Sequence, residues 1–242
     1  MMKGNKIMIV EDESIIAEDI RMSLINNGYV VPSVVSMGET AIEKVKEDKP
    51  DLILMDIMLA GKMDGIQTAG MIQTMFSIPV IYLTAYCDDK IIERAKITSP
   101  FGYLIKPFKD RELYIAIEMS LYKHKMETEL KESKEFYEGI LEGIVTGVWV
   151  TDNNDEIIYS NKGMKAIFPE LITGVKVMIT WEFFKPYYMR AKETLEPFHY
   201  EGVPFVVTGK SPKYYSGWLI PRIEEGKFKG MICTVESIRT QA

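Results

Sequence analysis

Cysteine is scarce: the chain of 242 residues has two, Cys87 and Cys233, far apart and in no CxxC pair. Histidine is equally rare, at His124 and His199. Neither a disulfide framework nor a zinc site built from Cys and His can organise such a chain. Basic residues are in deficit, 29 Lys and Arg against 35 Asp and Glu, for a net charge of −6. That balance argues against a protein coating nucleic acid, although a local basic patch stays open. No apolar run approaches the roughly 18 residues of a membrane span. The N-terminus, MMKGNKIMIVEDES, closes its short apolar stretch with acids, unlike a secretory signal. The expected setting is the cytoplasm.

Hydrophobic residues make up 47% and charged residues 26%, which supports a buried core and excludes global disorder. The length favours two domains. The first 120 residues alternate regularly. Apolar or β-branched runs at Ile7–Val10, Val30–Val35, Asp51–Met55, Ile78–Leu83 and Gly102–Ile105 read as strands. Ser14–Asn27, Ser36–Asp48, Asp64–Phe76, Asp88–Lys96 and Asp110 onward read as helices. The expectation is an α/β, doubly wound five-stranded parallel sheet with helices on both faces. Right-handed crossovers then bring every strand's C-terminal end to one edge, where ligands of such sheets bind.

The helix from Asp110 shows no reason to stop before Gly139. Ile115, Met119, Tyr122, Met126, Leu130, Tyr137 and Ile140 recur in steps of three or four, broken by a polar gap at Ser133. Two readings are open: a solvated linker helix with one packed face, or a parallel two-stranded coiled coil joining two copies.

Beyond Glu142 the pattern changes. Gly143–Thr151 and Glu156–Tyr159 flank the turn cluster Asp152-Asn153-Asn154-Asp155, a hairpin signal. Ser160–Phe168 looks helical, and Ile179–Pro197 is ambiguous and rich in aromatics. Val203–Thr208, Tyr214–Ile220 and Met231–Ile238 read as antiparallel strands, the last two joined at Glu224-Glu225-Gly226-Lys227.

The strand ends carry the chemistry. The first closes on Glu11 and Asp12, the third on Asp56, the fourth on Thr84 and the fifth on Lys106. In a sheet of order 2-1-3-4-5, strands one and three are neighbours at the switch point. Three converging acids repel unless a cation is present. Mg²⁺ takes oxygen ligands and suits them. An aspartate there can act as a nucleophile toward phosphorus. Lys106 offers a point charge and Thr84 a hydroxyl to phosphoryl oxygens.

With Glu11 and Asp12 in VEDE, Asp56 in LILMDIML, Thr84 in YLTAY and Lys106 in YLIKPF, residues 5–122 resemble a response-regulator receiver domain (CheY-like). The resemblance implies that Asp56 accepts a phosphoryl group from a histidine kinase or phosphotransfer protein. It implies that Glu11, Asp12, Asp56 and the backbone carbonyl of Met58 hold Mg²⁺ or Mn²⁺. Thr84 and Tyr103 match the paired switch positions, and a cis bond is implied between Lys106 and Pro107. One departure is Ala60, where the family often has proline; it should loosen the loop slightly. Met58 and Tyr86 flank the site at positions that tune dephosphorylation, and the bulk of Tyr86 points to a phosphorylated lifetime longer than minutes.

Residues 135–240 resemble a PAS domain, through the hairpin, Tyr159-Ser160-Asn161 entering a helix, and the closing strands. The flavin-photosensor motif NCRFLQ is absent. Trp149, Trp181, Trp218, Phe183 and Phe184 read as core, Cys233 as a small buried residue, and His124 as solvated. His199, a lone histidine, reads as a surface or hydrogen-bonded residue before a haem ligand. No bound PAS ligand is expected.

The expected layout is a receiver over 1–122, a linker helix over 123–138, and an α+β PAS domain with an antiparallel sheet over 139–242. The expected function is a two-component response regulator, not an enzyme, relaying phosphorylation at Asp56 to the PAS module. The expected partners are a histidine kinase and a second copy of the chain through the receiver and linker helix, with neither nucleic acid nor membrane. The alternative is the receiver-PAS fragment of a hybrid sensor histidine kinase.

Overall fold

The computed structural model describes residues 4–85, 89–169, 173–176, 184–205 and 213–237. The chain forms two compact units, Met1–Lys131 and Glu132–Ala242. The first alternates β1 (Ile7–Val10), α1 (Ser14–Asn26), β2 (Val34–Val35), α2 (Gly38–Asp48), β3 (Leu52–Asp56), α3 (Gly65–Phe76), β4 (Val80–Thr84), α4 (Asp89–Ile97) and β5 (Gly102–Ile105), and α5 (Asp110–Gly143) begins in it. The five strands are parallel, in the order β2-β1-β3-β4-β5.

The central strands β1, β3 and β4 are buried on both faces, which is why they read as continuous apolar runs. Ile7, Ile9, Leu52, Leu54, Ile81 and Leu83 pack toward Ile20 and Leu24 of α1 and Leu113 and Ile117 of α5. Met8, Val10, Ile53, Met55 and Tyr82 pack toward Ala41, Val45, Ile66 and Ile72 of α2 and α3.

The second strand is shorter than expected. Only Val34 and Val35 pair regularly with β1, while Val30 forms an isolated bridge with Lys6. Pro32 lies between them and has no N–H to give a ladder, which an edge strand tolerates. The fourth strand starts after Pro79 and takes in Thr84.

In the second unit, β6 (Gly147–Thr151) and β7 (Ile157–Ser160) form the expected hairpin, followed by α6 (Lys162–Ile167). A helix, α7 (Lys185–Thr194), occupies part of the ambiguous stretch. Then come β8 (Phe198–Phe205), β9 (Lys213–Glu224) and β10 (Lys227–Ser237), completing an antiparallel sheet of order β7-β6-β10-β9-β8. β8 starts five residues before the expected Val203, because a bulge between Tyr200 and Val203, with Gly202 at φ +65, breaks the alternation. Glu225 and Gly226 join β9 to β10 with φ 51 and 72, as a two-residue hairpin turn requires.

The core of this unit is aromatic. Trp149 stacks on Tyr188 at 6.4 Å and lies 5.9 Å from Phe184, beside buried Met164, Tyr200 and Cys233. Trp218 departs from the core reading: it is 47% exposed on the outer face of β9, 4.8 Å from the ring of His199. Strand alternation puts it there, since its neighbours Gly217 and Leu219 point inward. Trp181 and Phe183 lie outside the described residues, as do Cys87, Tyr86, Ile238 and the end of the expected strand at 206–208.

Asn161 ties the second unit's elements together. Its carbonyl accepts from Val148 N–H and Met164 N–H, both at 2.8 Å, capping α6. Its amide donates to the carbonyls of Leu141, Ile144 and Thr146 at 2.9, 3.2 and 3.0 Å. The first of these belongs to the last turn of α5, where carbonyls lack helical partners. Glu142 accepts from Tyr159 OH and Lys162 N–H beside it. Among the described residues, no helix is long and apolar enough to cross a membrane.

Candidate functional site

The register of β1, β3, β4 and β5 assembles the site. Val10 pairs with Met55 and Asp56 with Leu83, so Glu11 follows its strand at the level where Asp56 ends its own. Lys106 N–H donates to Thr84 carbonyl at 2.8 Å, which places the lysine at the same edge.

Glu11 and Asp56 are buried there, and Asp12 is the most open of the three acids. One carboxylate oxygen from each lies within 4.8 Å of the other two. Lys106 Nζ donates to Glu11 Oε2 at 2.5 Å and to Asp56 Oδ2 at 2.6 Å. Asp56 Oδ1 accepts from Met58 N–H at 3.0 Å, and Glu11 Oε1 from Glu13 N–H at 3.4 Å. Burial, aided by the neighbouring charge of Asp56, pushes the Glu11 carboxyl up to about 7 against the pull of Lys106. Burial works against the charge of Lys106, but hydrogen bonds to Asp56 and Glu11 hold its ammonium above the ordinary lysine range.

One ammonium therefore faces two buried carboxylates with a third nearby. The donor set is all hard oxygen, which fits a hard divalent cation at Glu11, Asp12 and Asp56.

Thr84, at the end of β4, is buried at this edge. Tyr103 is 38% exposed, its ring 5.8 Å from buried Tyr82, whose hydroxyl meets Thr98 Oγ1 at 2.8 Å. The Met58 side chain is exposed. The Lys106–Pro107 bond is cis. Tyr86 lies outside the described residues. His124 is not solvated, as read from the sequence, but half-buried edge-on against Phe101 at 5.4 Å.

Three supporting contacts escaped the sequence reading. The N–H of Ala60 donates to Asp12 Oδ2 at 3.2 Å, which a proline there would not provide. Asp64 caps α3 in a reciprocal box with Gln67 and also pairs with Arg94 at 2.5 Å. Gly65 begins α3 directly beneath the site: a Cβ on it would lie 1.8 Å from the carbonyl oxygen of Asp56. The Asp64-Gly65 pair was the visible signal for the last two.

Residues 7–118 match the response regulator receiver domain family. The transcriptional regulatory protein PdtaR of Mycobacterium tuberculosis is 32% identical over 126 residues, in two strains. That alignment covers 52% of this chain, which spans 61% of the relative's length. Among solved structures, a fusion of a yeast Spc42 trimeric coiled-coil segment to another solved protein is 37% identical, over 55% of this chain and 86% of that one, with a TM-score of 0.53. The signal receiver domain of a modulated diguanylate cyclase from Desulfovibrio desulfuricans G20 is 38% identical, over 50% of this chain and 97% of that one, with a TM-score of 0.49.

Proposed function

Residues 7–118 form a response regulator receiver domain, and on that premise we propose that the chain accepts a phosphoryl group on Asp56 from a histidine kinase or phosphotransfer protein. The observation that carries this reading is the contact of Lys106 Nζ with both Asp56 and Glu11 beside a third carboxylate.

In the proposed step an Asp56 carboxylate oxygen attacks phosphorus, the bond from phosphorus to the donor's imidazole nitrogen breaks, and that nitrogen is left to take up a proton. Lys106 offers its charge to a phosphoryl oxygen, and Thr84 its hydroxyl to another. Glu11, Asp12, Asp56 and the Met58 carbonyl would hold Mg²⁺ or Mn²⁺, which when bound neutralises charge on the transferring oxygens. The protein's part is positioning: β1, β3 and β5 fix the groups before the donor arrives.

The proposed output is a change at Thr84 and Tyr103, passed to a PAS module in the second unit. The five-stranded antiparallel sheet with helices between its strands supports that assignment. A ligand differing in contacts between two states is what shifts their populations, and a dianionic phosphoryl group is such a ligand. The proposed response is protein–protein contact in the cytoplasm, with a second copy of the chain as one partner, and not catalysis or nucleic-acid binding.

Incubation with acetyl phosphate and Mg²⁺, followed by intact mass, tests the reading. One added phosphoryl group, absent from Asp56→Asn, is expected. No mass gain, or a gain that survives Asp56→Asn, removes it.

A further inference from the structure

Helix α5 turns Leu113, Ile117, Ser120 and Leu121 into the first unit. At about 100° per residue, the opposite face carries Ile115, Met119, Tyr122 and Met126. All four are exposed, Met119 by 69%. The same face continues to Leu130, exposed by 72%, and Tyr137.

The steps along this face run four, three, four from Ile115 to Met126, and four, three, four again from Met126 through Leu130 and Ser133 to Tyr137. That is an eleven-residue repeat, and the step that looks irregular in a heptad frame is regular in this one. Eleven residues in three turns give about 3.67 per turn, close to the helix's own 3.6. Two such faces can meet along nearly straight helices with a slight right-handed supercoil.

The charges beside the stripe keep the same period. Glu118 and Glu129 lie on one flank, Lys123 and Lys134 on the other, each acid five residues before its lysine. Residues five apart are not neighbours within one helix. Lys123 and Lys134 instead reach Glu127 and Glu138 at 3.8 Å. Across a parallel pair, that five-residue offset is the one that sets acid against lysine. An antiparallel pair would set acid flank against acid flank. Tyr29 OH donates to Glu118 at 2.6 Å and fixes that carboxylate on its flank.

We propose that this face of α5 pairs, parallel and in register, with the same face of a second copy. The proposal rests on the homodimer within the function above and specifies its surface.

Sedimentation equilibrium of the full chain with Glu129→Lys and Lys134→Glu tests it. The parent is expected to dimerise. Each variant alone is expected to dissociate about tenfold more readily, since like charges then face across the pair. An equimolar mixture is expected to regain at least the parent's association, because both flanks are complementary again. Leu130→Glu is expected to leave a helical monomer by circular dichroism. A parent that is monomeric at about 100 µM, single variants that associate like the parent, or a mixture behaving as the average of its parts overturns the proposal. No readout involves phosphorylation, so failure here and failure at Asp56 are separate results.

Discussion

The Lys106 ammonium and the Asp56 carboxylate sit 2.6 Å apart at the sheet edge, with Glu11 at 2.5 Å on the same amine. Removing that cation leaves two buried acids facing each other. Lys106→Met is expected to cost about 3 kcal/mol in urea unfolding at pH 8 with chelator present. It should also slow phosphoryl uptake at least tenfold, about 1.4 kcal/mol of lost stabilisation. A variant as stable as the parent contradicts the electrostatic account.

Acid strength of Glu11 gives a pH signature. Its carboxyl ionises near 4.5 in an unfolded chain and near 7 in the folded one. Below 4.5 both states hold the proton and this group contributes nothing. Between about 4.5 and 7 the unfolded state releases its proton first, so stability falls as pH rises. Above about 7 the penalty is complete, about 3 kcal/mol for a shift of this size. Lys106 runs the other way: its raised pKa gives stability that is complete below 10.5 and lost only as pH climbs beyond that value. Urea midpoints of metal-free parent and Glu11→Gln should therefore diverge between pH 5 and 8, the parent losing ground. Parallel profiles would count against it.

Gly65 is a steric requirement rather than a conformational one. A Cβ there would meet the Asp56 carbonyl oxygen at 1.8 Å and Ile57 Cα at 3.0 Å, all backbone. Gly65→Ala is expected to cost roughly 2–4 kcal/mol and to slow phosphoryl uptake by shifting Asp56. Gly28→Ala is the control. Gly28 has φ +87 and open space around it, so only about 1 kcal/mol of backbone strain is expected. Equal effects from the two would show that the contact with Asp56 is unimportant.

Asn161 is fully buried and makes five hydrogen bonds to backbone groups. Asn161→Ala strips all of them, and thermal unfolding should register a loss above about 3 kcal/mol. Asn161→Asp keeps both accepted bonds but turns a charge toward three carbonyls. It should be as damaging at pH 8 and recover as pH falls. A pH-independent Asp variant would refute this reading of the amide.

What could be read in advance follows from periodicity. The central strands β1, β3 and β4 announce themselves because both their faces are buried, and Glu11, Asp12, Asp56, Thr84 and Lys106 each stand at a strand end or within two residues past it. The neighbourhood of Glu11, Asp56 and Lys106 then follows from strand order alone. Contacts between a backbone group and a distant side chain leave no period, so the Ala60 N–H on Asp12 and the Asn161 hub were invisible, and the Gly65 approach to Asp56 showed only as the Asp64-Gly65 pair. Local breaks misled too: Pro32 shortened β2, the Gly202 bulge hid the start of β8, and aromatic density masked α7, whose second residue is Pro186. Trp218 looked like core by residue type but occupies an outward register position.

The angular bookkeeping of α5 constrains how its length can drift. One residue gained between Leu121 and Leu130 would swing everything downstream by about 100°, moving Glu129 of the acid flank to where Leu130 had been. Gaining eleven would leave the downstream face within about 20° of its former bearing. Length variants of this helix should therefore come in whole phases, with single-residue insertions and deletions breaking the face.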